Sequence, residues 1–420
     1  MKPLSEITAI VVDNGMFVEL ARKLAQTYKT VYYNCANKCA FRKMNLSRIG
    51  YGYPEIEVID TMWPDNFDEI DLFVFPDIGF PFEQTYLESI GKKVWGARKG
   101  EQLEQEREIT KELLADIGLP VGEYDEIHGV DALREYLKTH KEVFVKMSEW
   151  RGTFESFYSP EYKLVEPKLD EVEFNLGAFK YISDFCVENA LPDRVELGVD
   201  MYTVNGKYPG RCLQGIEIKD KGYIGAIKPY SDFPAPLREV NEKLSPTFKE
   251  YGYAGFFSTE VRIGKDMKPY LIDFTAREGS PPGELYQEMY KNISDIIWQG
   301  ANGICIDPEP AGKYGVQINI HSPWAEWNWQ PIDFPKENRS FIKLHNCTFI
   351  KGKHYVIPME YGLDKIGSVI GYGDTLDEAR KKAKEVGESI EGYYIEVMGD
   401  SLDDAEKEIE KAEKMGMKVL

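Results

Sequence analysis

The stretch GFFSTEVRIGKDMKPYLIDFTAREG, residues 255–279, decides how this chain is read. Two apolar-rich runs flank a polar turn at 264–268, which is a β-hairpin pattern. Side chains alternate across a strand, so Ser258 and Glu260 share one face, and Asp273 and Thr275 share one face. Folding the hairpin brings Glu260 close to Asp273. Carboxylates inside apolar strands are costly unless paired or metal-bound. Two facing carboxylates repel, and a divalent cation relieves that repulsion. Hard oxygen ligands with few protein contacts suit Mg²⁺ bridging phosphates. Arg277 follows, able to hold a phosphate or carboxylate through two parallel hydrogen bonds. The same spacing also fits a surface strand pair with solvated acids, and spacing alone leaves both readings open.

Working outward, VENALPDRVELGVDMYTVNG (187–206) places Glu188 at one strand end and Glu196 at the start of the next. An irregular segment between them can read an adenine edge through backbone groups, and a nearby carboxylate can accept ribose hydroxyls. Lys146 ends the apolar strand VFVKM, just before the loop SEWRGTFES that carries Arg151, Gly152 and Thr153. Cations over such a loop suit nucleotide phosphates. Lys111 lies on the charged helix EQLEQEREITKELLAD (101–116), where a solvated lysine is the plain alternative. No GxxxxGK[ST] or GxGxxG occurs, so neither a P-loop nor a dinucleotide fingerprint is supported.

The 420 residues predict about two to four packed domains. Hydrophobic residues make up 43% and charged residues 29%, which excludes a wholly disordered chain. Fifty-one Lys and Arg against 71 Asp and Glu give a net charge of −20. That balance disfavours a duplex-nucleic-acid surface, which needs clustered basic charge. Six cysteines without a CxxC pair fit reduced intracellular thiols. Cys35 and Cys39 could flank a metal, but incidental thiols are the expectation. The opening apolar run is too short for a signal peptide or a span, so a cytoplasmic protein is expected.

Strands at 7–12, 30–33, 56–59 and 70–75 alternate with helices, predicting a small parallel α/β unit over 1–96. A helix at 101–116 ends at Gly118-Leu119-Pro120. Strands dominate 185–275, with helices at 236–251 and 283–299. The tail holds strands near 315–320, 341–350 and 366–370. Thr375 and Glu378 have capping-box spacing and open a helix to about 389, followed by a charged helix at 402–415. That last helix has an apolar stripe at Ala405, Ile409 and Ala412, expected to cover the C-terminal domain. Trp324, Trp327 and Trp329, with Glu326, are expected to pack between the central and C-terminal domains. His321 and His345 are expected to be satisfied structural histidines. Lys228 reads as an acceptor-site cation or a water-facing strand-end lysine.

The order of these pieces resembles the ATP-grasp superfamily: a lysine helix ending in GLP, a strand ending in lysine, a Glu-bearing hinge, then the Glu260/Asp273 hairpin and Arg277. The tail GSVIGYGDTLDEARKKAKEVGESIEGYY (367–394) resembles the C-terminal domain of the phosphoribosylamine–glycine ligase family, and ITAIVVDNGMFVELARKLAQ (7–26) is similar to its opening βα unit. The resemblance implies an α/β ATP-grasp fold in three parts. These are an N-terminal parallel α/β domain over 1–96, an ATP-grasp domain over 97–325 and a small C-terminal α+β domain over 326–420. A lobe over about 120–180 would act as a lid. It further implies an ATP-dependent carboxylate–amine ligase that uses Mg²⁺, or Mn²⁺, acting as a monomer or homodimer on a small carboxylate and an amine.

Carried over residue by residue, Lys111 and Lys146 would contact ATP phosphates, with Arg151 in the loop beside them. Glu188, with the backbone of Asn189 and Ala190, would face adenine, and Glu196 the ribose. Glu260 and Asp273 would hold the metal, with Thr275 where the family has Asn. Arg277 would steady the acyl-phosphate transition state. Departures concentrate on the acceptor side. The glycine-rich opening turn is reduced to Asp13-Asn14-Gly15, and the substrate loop is replaced by KDKGYIGAIKPYSD (219–232). Asp13, facing the pocket, is expected to repel a sugar phosphate. A changed amine substrate fits that pattern; a nucleotide-binding module without turnover is the reading from another class.

Overall fold

The computed structural model describes residues 1–36, 48–148, 156–191, 194–358, 364–397, 399 and 401–420. The run ITAIVV is buried on both faces, as a central parallel strand requires: Ile10 and Val12 pack with Phe73 and Val94, while Ala9 and Val11 face the main core. It forms β1 (Thr8–Asp13). With β2 (Thr30–Cys35), β3 (Glu57–Val58), β4 (Leu72–Val74) and β5 (Lys93–Trp95) it makes a parallel sheet in the order β3-β2-β1-β4-β5. Helices α1 (Val18–Leu24) and α2 (Pro81–Ser89) connect these strands. Strand order reverses between β1 and β4, so the loops at 13–15 and 76–79 open side by side. Asn14 ties them, donating to the Ile78 carbonyl at 3.2 Å.

The predicted helix at 101–116 is two helices, α3 (Gln102–Gln105) and α4 (Arg107–Asp116), broken at Glu106 (φ −114°, ψ 89°). The break lets Glu104 and Arg107 reach different parts of one cleft. A separate lobe follows: β6 (Tyr124–His128), α5 (Val130–Leu137), β7 (Val143–Met147), β8 (Ser156–Ser159), α6 (Tyr162–Leu176) and β9 (Asp184–Asn189). Its sheet runs β6-β9-β7-β8, and it has its own core of Leu133, Val145, Leu169, Val172 and Phe185.

The largest sheet starts from β10 (Val195–Val204), β11 (Arg211–Ile218) and β12 (Gly222–Pro229), then, after α7 (Ala235–Glu250), β13 (Ala254–Ile263) and β14 (Pro269–Thr275). The predicted helix at 283–299 divides into α8 (Gly283–Met289) and α9 (Ile293–Ala301). Strands β15 (Tyr314–His321), β16 (Gln330–Asp333), β17 (Ile342–Leu344), β18 (Cys347–Ile350), β19 (Lys353–Val356) and β20 (Lys365–Gly373) follow. The nine-stranded sheet has the order β14-β13-β10-β11-β12-β15-β20-β17, with the short strand at Glu396–Val397 pairing β15 off this path, so strands on both sides of residue 325 share it. A single strand was expected over 341–350; instead the chain turns at Asn346 (φ 44°), sending β17 and β18 to different sheets.

Helix α10 (Leu376–Glu388) opens on the predicted capping box, with both reciprocal Thr375–Glu378 bonds formed. Short strands β21 (Glu391–Gly392) and β22 (Glu396–Val397) lead to α11 (Ser401–Lys414). Its stripe of Ala405, Ile409 and Ala412 is buried, but against β10, β11 and β12 rather than the C-terminal unit. Trp324 and Trp327 are exposed rather than packed between domains. Cys35, Cys186, Cys212, Cys305 and Cys347 are free thiols, and Cys39 lies outside the described residues. Among the described residues no helix is long and apolar enough to cross a membrane.

Candidate active site

The hairpin β13–β14 pairs Glu260 directly with Asp273, and Ser258 with Thr275, with a register shift after Glu260. The two carboxyls face one another as the alternation predicts, yet their chemistry differs. Burial pushes Glu260 well above the ordinary carboxylate range; the charges of Asp273, Glu217 and Glu196 add to this. Burial also opposes ionisation of Asp273, but Arg107 and Lys146 outweigh it and hold it below its usual range. Arg107 Nη1 donates to Asp273 Oδ1 at 2.9 Å. Sequence reading passed over Arg107, although it stands four residues before Lys111 and so on the same helix face. Among the described residues no three His, Cys, Asp or Glu side chains group to hold a metal ion. A cation here would rest on Glu260, Asp273 and ligand oxygens, as Mg²⁺ on phosphates does.

Lys111 on α4 and Lys146 on β7 converge on one carboxylate oxygen, Glu188 Oε1, at 3.1 and 3.2 Å. Lys146 also donates to the Ile272 carbonyl, beside Asp273. Burial raises the Glu188 carboxyl, yet Lys146 and Lys111 bring it below its usual range. Glu188 therefore faces the lysines instead of lining an open adenine hinge. The backbone N–H groups of Asn189 and Ala190 donate to the carbonyls of Glu123 and Glu142, at 3.1 and 3.0 Å. Arg107, Lys111, Glu188 and Asp273 line a cavity of about 20 Å³, and Lys111 also borders a recess of about 690 Å³ between α4 and β6. Arg151 lies outside the described residues.

Glu196 sits on β10, its Oε2 3.4 Å from Arg262 Nε, on the sheet face that carries Glu260. Burial raises its carboxyl, against the pull of Arg262. Thr275 is half-buried at the end of β14. Arg277 Nε donates to Glu104 Oε1 at 2.9 Å, and Glu104 Oε2 accepts from the Ala276 N–H at 2.7 Å. Arg277 is thus held at the mouth of the same cleft by the residue the α3–α4 break frees.

Beside Arg277 the three parts of the chain meet over buried acids that no local motif announces. Glu284 Oε1 lies 2.6 Å from His345 Nε2 and accepts from Ser280 Oγ at 2.5 Å; Oε2 accepts from Gln317 at 2.9 Å. Burial opposes its ionisation, but the hydrogen bond and charge of His345 hold it far below the usual range. His345 is satisfied, as expected, and so is His321, between Asp364 and the Asp220 carbonyl. Asp13 does not face a pocket. It is fully buried, accepting from Tyr33 Oη and the Phe17 N–H, each at 2.5 Å, and from the Gly15 N–H at 3.0 Å. It holds the turn together, and the expected repulsion of a sugar phosphate has no geometric basis. Gly15 takes φ 111°, which favours glycine, under Asn346.

Burial raises three of these acids: Asp13 to about 7, Glu101 to about 8 and Glu278 to about 8. An acid whose folded pKa exceeds its unfolded value binds its proton more tightly when folded, so stability falls as pH rises through that window. Glu284, Glu188 and Asp273 shift the other way and are already ionised there. The melting temperature is expected to fall between about pH 5 and about pH 9, and Glu278→Gln to flatten that slope. A wild-type slope in the variant would show that Glu278 ionises freely.

No family model and no curated protein matches the chain. Among solved structures the match is extensive, and the parallel unit, the small separate lobe and the hairpin-bearing antiparallel sheet together make the ATP-grasp fold. Phosphoribosylamine–glycine ligase of Thermotoga maritima aligns at a TM-score of 0.65 and 16% identity, over 93% of this chain and 98% of that one. The biotin carboxylase domain of Hydrogenobacter thermophilus 2-oxoglutarate carboxylase, in complex with MgADP, ADP and bicarbonate, aligns at 0.66 and 12%, over 99% of each chain. L-amino acid ligase of Bacillus licheniformis aligns at 0.59 and 16%, over 94% of this chain and 100% of that one. At these identities the likeness is one of fold.

Proposed function

We propose that this protein is an ATP-dependent carboxylate–amine ligase. The observation that carries the reading is that Arg107 and Lys146 face the pair Glu260 and Asp273, while Lys111 and Lys146 meet Glu188 beside it. A carboxylate oxygen of one substrate attacks the γ-phosphorus of ATP and ADP leaves. The amine then attacks the acyl carbon, phosphate departs, and the amine loses a proton to give the amide. Uncatalysed, the anionic γ-phosphate repels the anionic carboxylate. Lys111, Lys146 and Arg107 offset that charge, and Arg277 meets the acyl phosphate. Glu260 and Asp273, with Thr275 beside them, would hold Mg²⁺ or Mn²⁺, which neutralises phosphate charge when bound. Glu196 would reach the ribose, and Asn189 and Ala190 would border the base, with Arg151 near the phosphates. On this reading 1–96, 97–325 and 326–420 act as three parts, and the lobe over about 120–180 closes to exclude water. The free thiols fit a reducing, cytoplasmic setting.

Purified protein with ATP and Mg²⁺ is expected to release ADP only when given both a carboxylate and an amine, screened from glycine outward. Nucleotide binding without turnover across such a panel would favour a binding module. Phosphoribosylamine with glycine is expected to be a poor pair, because the opening turn Asp13-Asn14-Gly15 offers one glycine and has Asp77 beside it. Turnover of that pair near ~10 s⁻¹, an ordinary enzyme rate, would show otherwise. Lys146→Ala is expected to weaken ATP binding by about 1–3 kcal/mol, the scale of a charge-assisted hydrogen bond. Unchanged affinity by calorimetry would return Lys146 to a purely structural ion pair.

A further inference from the structure

At the end of the nine-stranded sheet remote from Glu217 and Lys365 lies an open cavity of about 520 Å³, a size that suits a small-molecule ligand. Four cations line it: Arg211 where β11 begins, Lys228 where β12 ends, Lys291 between α8 and α9, and Lys313 before β15. Asp374 is the one acid in its wall among the described residues. In a chain with 71 acids to 51 bases that ratio is inverted. Arg211 and Glu217 stand on the same strand six residues apart, about 20 Å at strand rise, so this cavity is separate from the nucleotide cleft.

None of the four makes an ion pair among the described residues, although Lys228 and Lys313 are hydrogen-bonded within the fold. Arg211 and Lys291 are exposed and make no ion pair among the described residues. Lys313 is held over the Tyr314 ring at 4.6 Å and donates to its hydroxyl at 2.8 Å. Lys228 neither faces water nor reaches the acceptor side, as its sequence position suggested. It is buried, donating to the carbonyls of Lys418 and Val419 at 2.9 and 2.8 Å. No carboxylate is bonded to it among the described residues; burial and Lys418 lower its pKa to about 8, and Asp232 opposes them weakly. The rim near Gly312 is tight: a Cβ there would stand 2.9 Å from backbone atoms of Gly373, so no side chain projects from that point. The first turn of α10 is closed by its own capping box, which leaves the attraction to the side-chain cations.

We propose that this cavity binds a small, multiply charged phosphate compound at a site distinct from the nucleotide cleft. An anion there would be attracted by the four cations that line the cavity. Arg211 can engage two phosphate oxygens at once, while the lysines act as point charges. The inference does not depend on the ligase reading.

Full-length protein titrated calorimetrically with inorganic pyrophosphate, at fixed ionic strength and without Mg²⁺, tests it. Binding is expected to persist in Lys111→Ala/Lys146→Ala and to weaken about tenfold or more in Arg211→Glu/Lys291→Glu. The milder Arg211→Gln/Lys291→Gln, expected to lose about threefold, serves if charge reversal impairs folding. Orthophosphate and ADP as parallel probes separate a free phosphate from a nucleotide. Wild-type affinity in both Arg211/Lys291 variants, loss of binding in the Lys111/Lys146 variant, or equal competition by chloride would each overturn the proposal.

Discussion

Glu260→Gln is expected to lower ATP-dependent turnover by at least about 100-fold while leaving the fold intact, and Asp273→Asn to do the same. The two carboxyls are direct cross-strand partners on neighbouring strands, so each supplies oxygens to the same point. Burial and the charges of Asp273, Glu217 and Glu196 push the Glu260 carboxyl above the usual carboxylate range. A divalent ion would displace the proton, and glutamine cannot give up a proton to make an anionic ligand. Asp273→Asn removes the charge that Arg107 pairs with, so it should also loosen Arg107. Thr275→Asn should be tolerated, since it supplies an amide oxygen at the same position. Steady-state ADP release and the Mg²⁺ dependence of nucleotide binding read these effects. Wild-type turnover in Glu260→Gln would end the metal assignment.

Glu284→Ala is expected to cost about 3–5 kcal/mol of stability, the scale of breaking a buried ion pair from one side. The carboxylate is buried and bonded to Ser280, Gln317 and His345, which come from the loop before α8, from β15 and from the turn after β17. Truncation leaves three buried polar groups without their shared acceptor. The sign with pH is opposite to that of Glu278. A carboxyl held below its unfolded value stabilises the fold above that value and loses the contribution as pH falls through the folded one. Denaturant unfolding at neutral pH should show the full loss, shrinking in acid. A change below about 0.5 kcal/mol, typical of a surface substitution, would show the cluster to be incidental.

What could be read in advance was local. The Glu260–Asp273 register follows from strand alternation across a five-residue turn, and the α10 start follows from Thr375 and Glu378. The expectation that strands dominate 185–275, with a helix at 236–251, rests on alternation and apolar runs, and the structure has that pattern. What escaped depended on partners far away in the chain. Arg107 meets Asp273 across 166 positions, and Glu284 meets His345 across 61. The break at Glu106 is invisible in a uniformly charged helix, because it is set by where Glu104 and Arg107 must point. Helix α6 carries Pro167 inside and exposes Phe174, which blurs its period. Asp13 looked like a pocket residue because it stands at a strand end, whereas its oxygens are satisfied inward by Tyr33 and the following turn.

On the ligase reading, the paired charges in the cleft have a consequence for how a nucleotide would enter. Arg107 rests on Asp273, and Lys111 and Lys146 rest on Glu188, so the protein supplies its own counter-ions. A bare cationic pocket would gather chloride from solution and release it on binding, making affinity steeply dependent on salt. Here the displaced anions are tethered carboxylates that cannot diffuse away. On that reading, nucleotide entry would be an exchange of partners among these three cations and two carboxylates. Glu188, once relieved of its lysines, would be the group left seeking a donor, near the end of the interior strand β9.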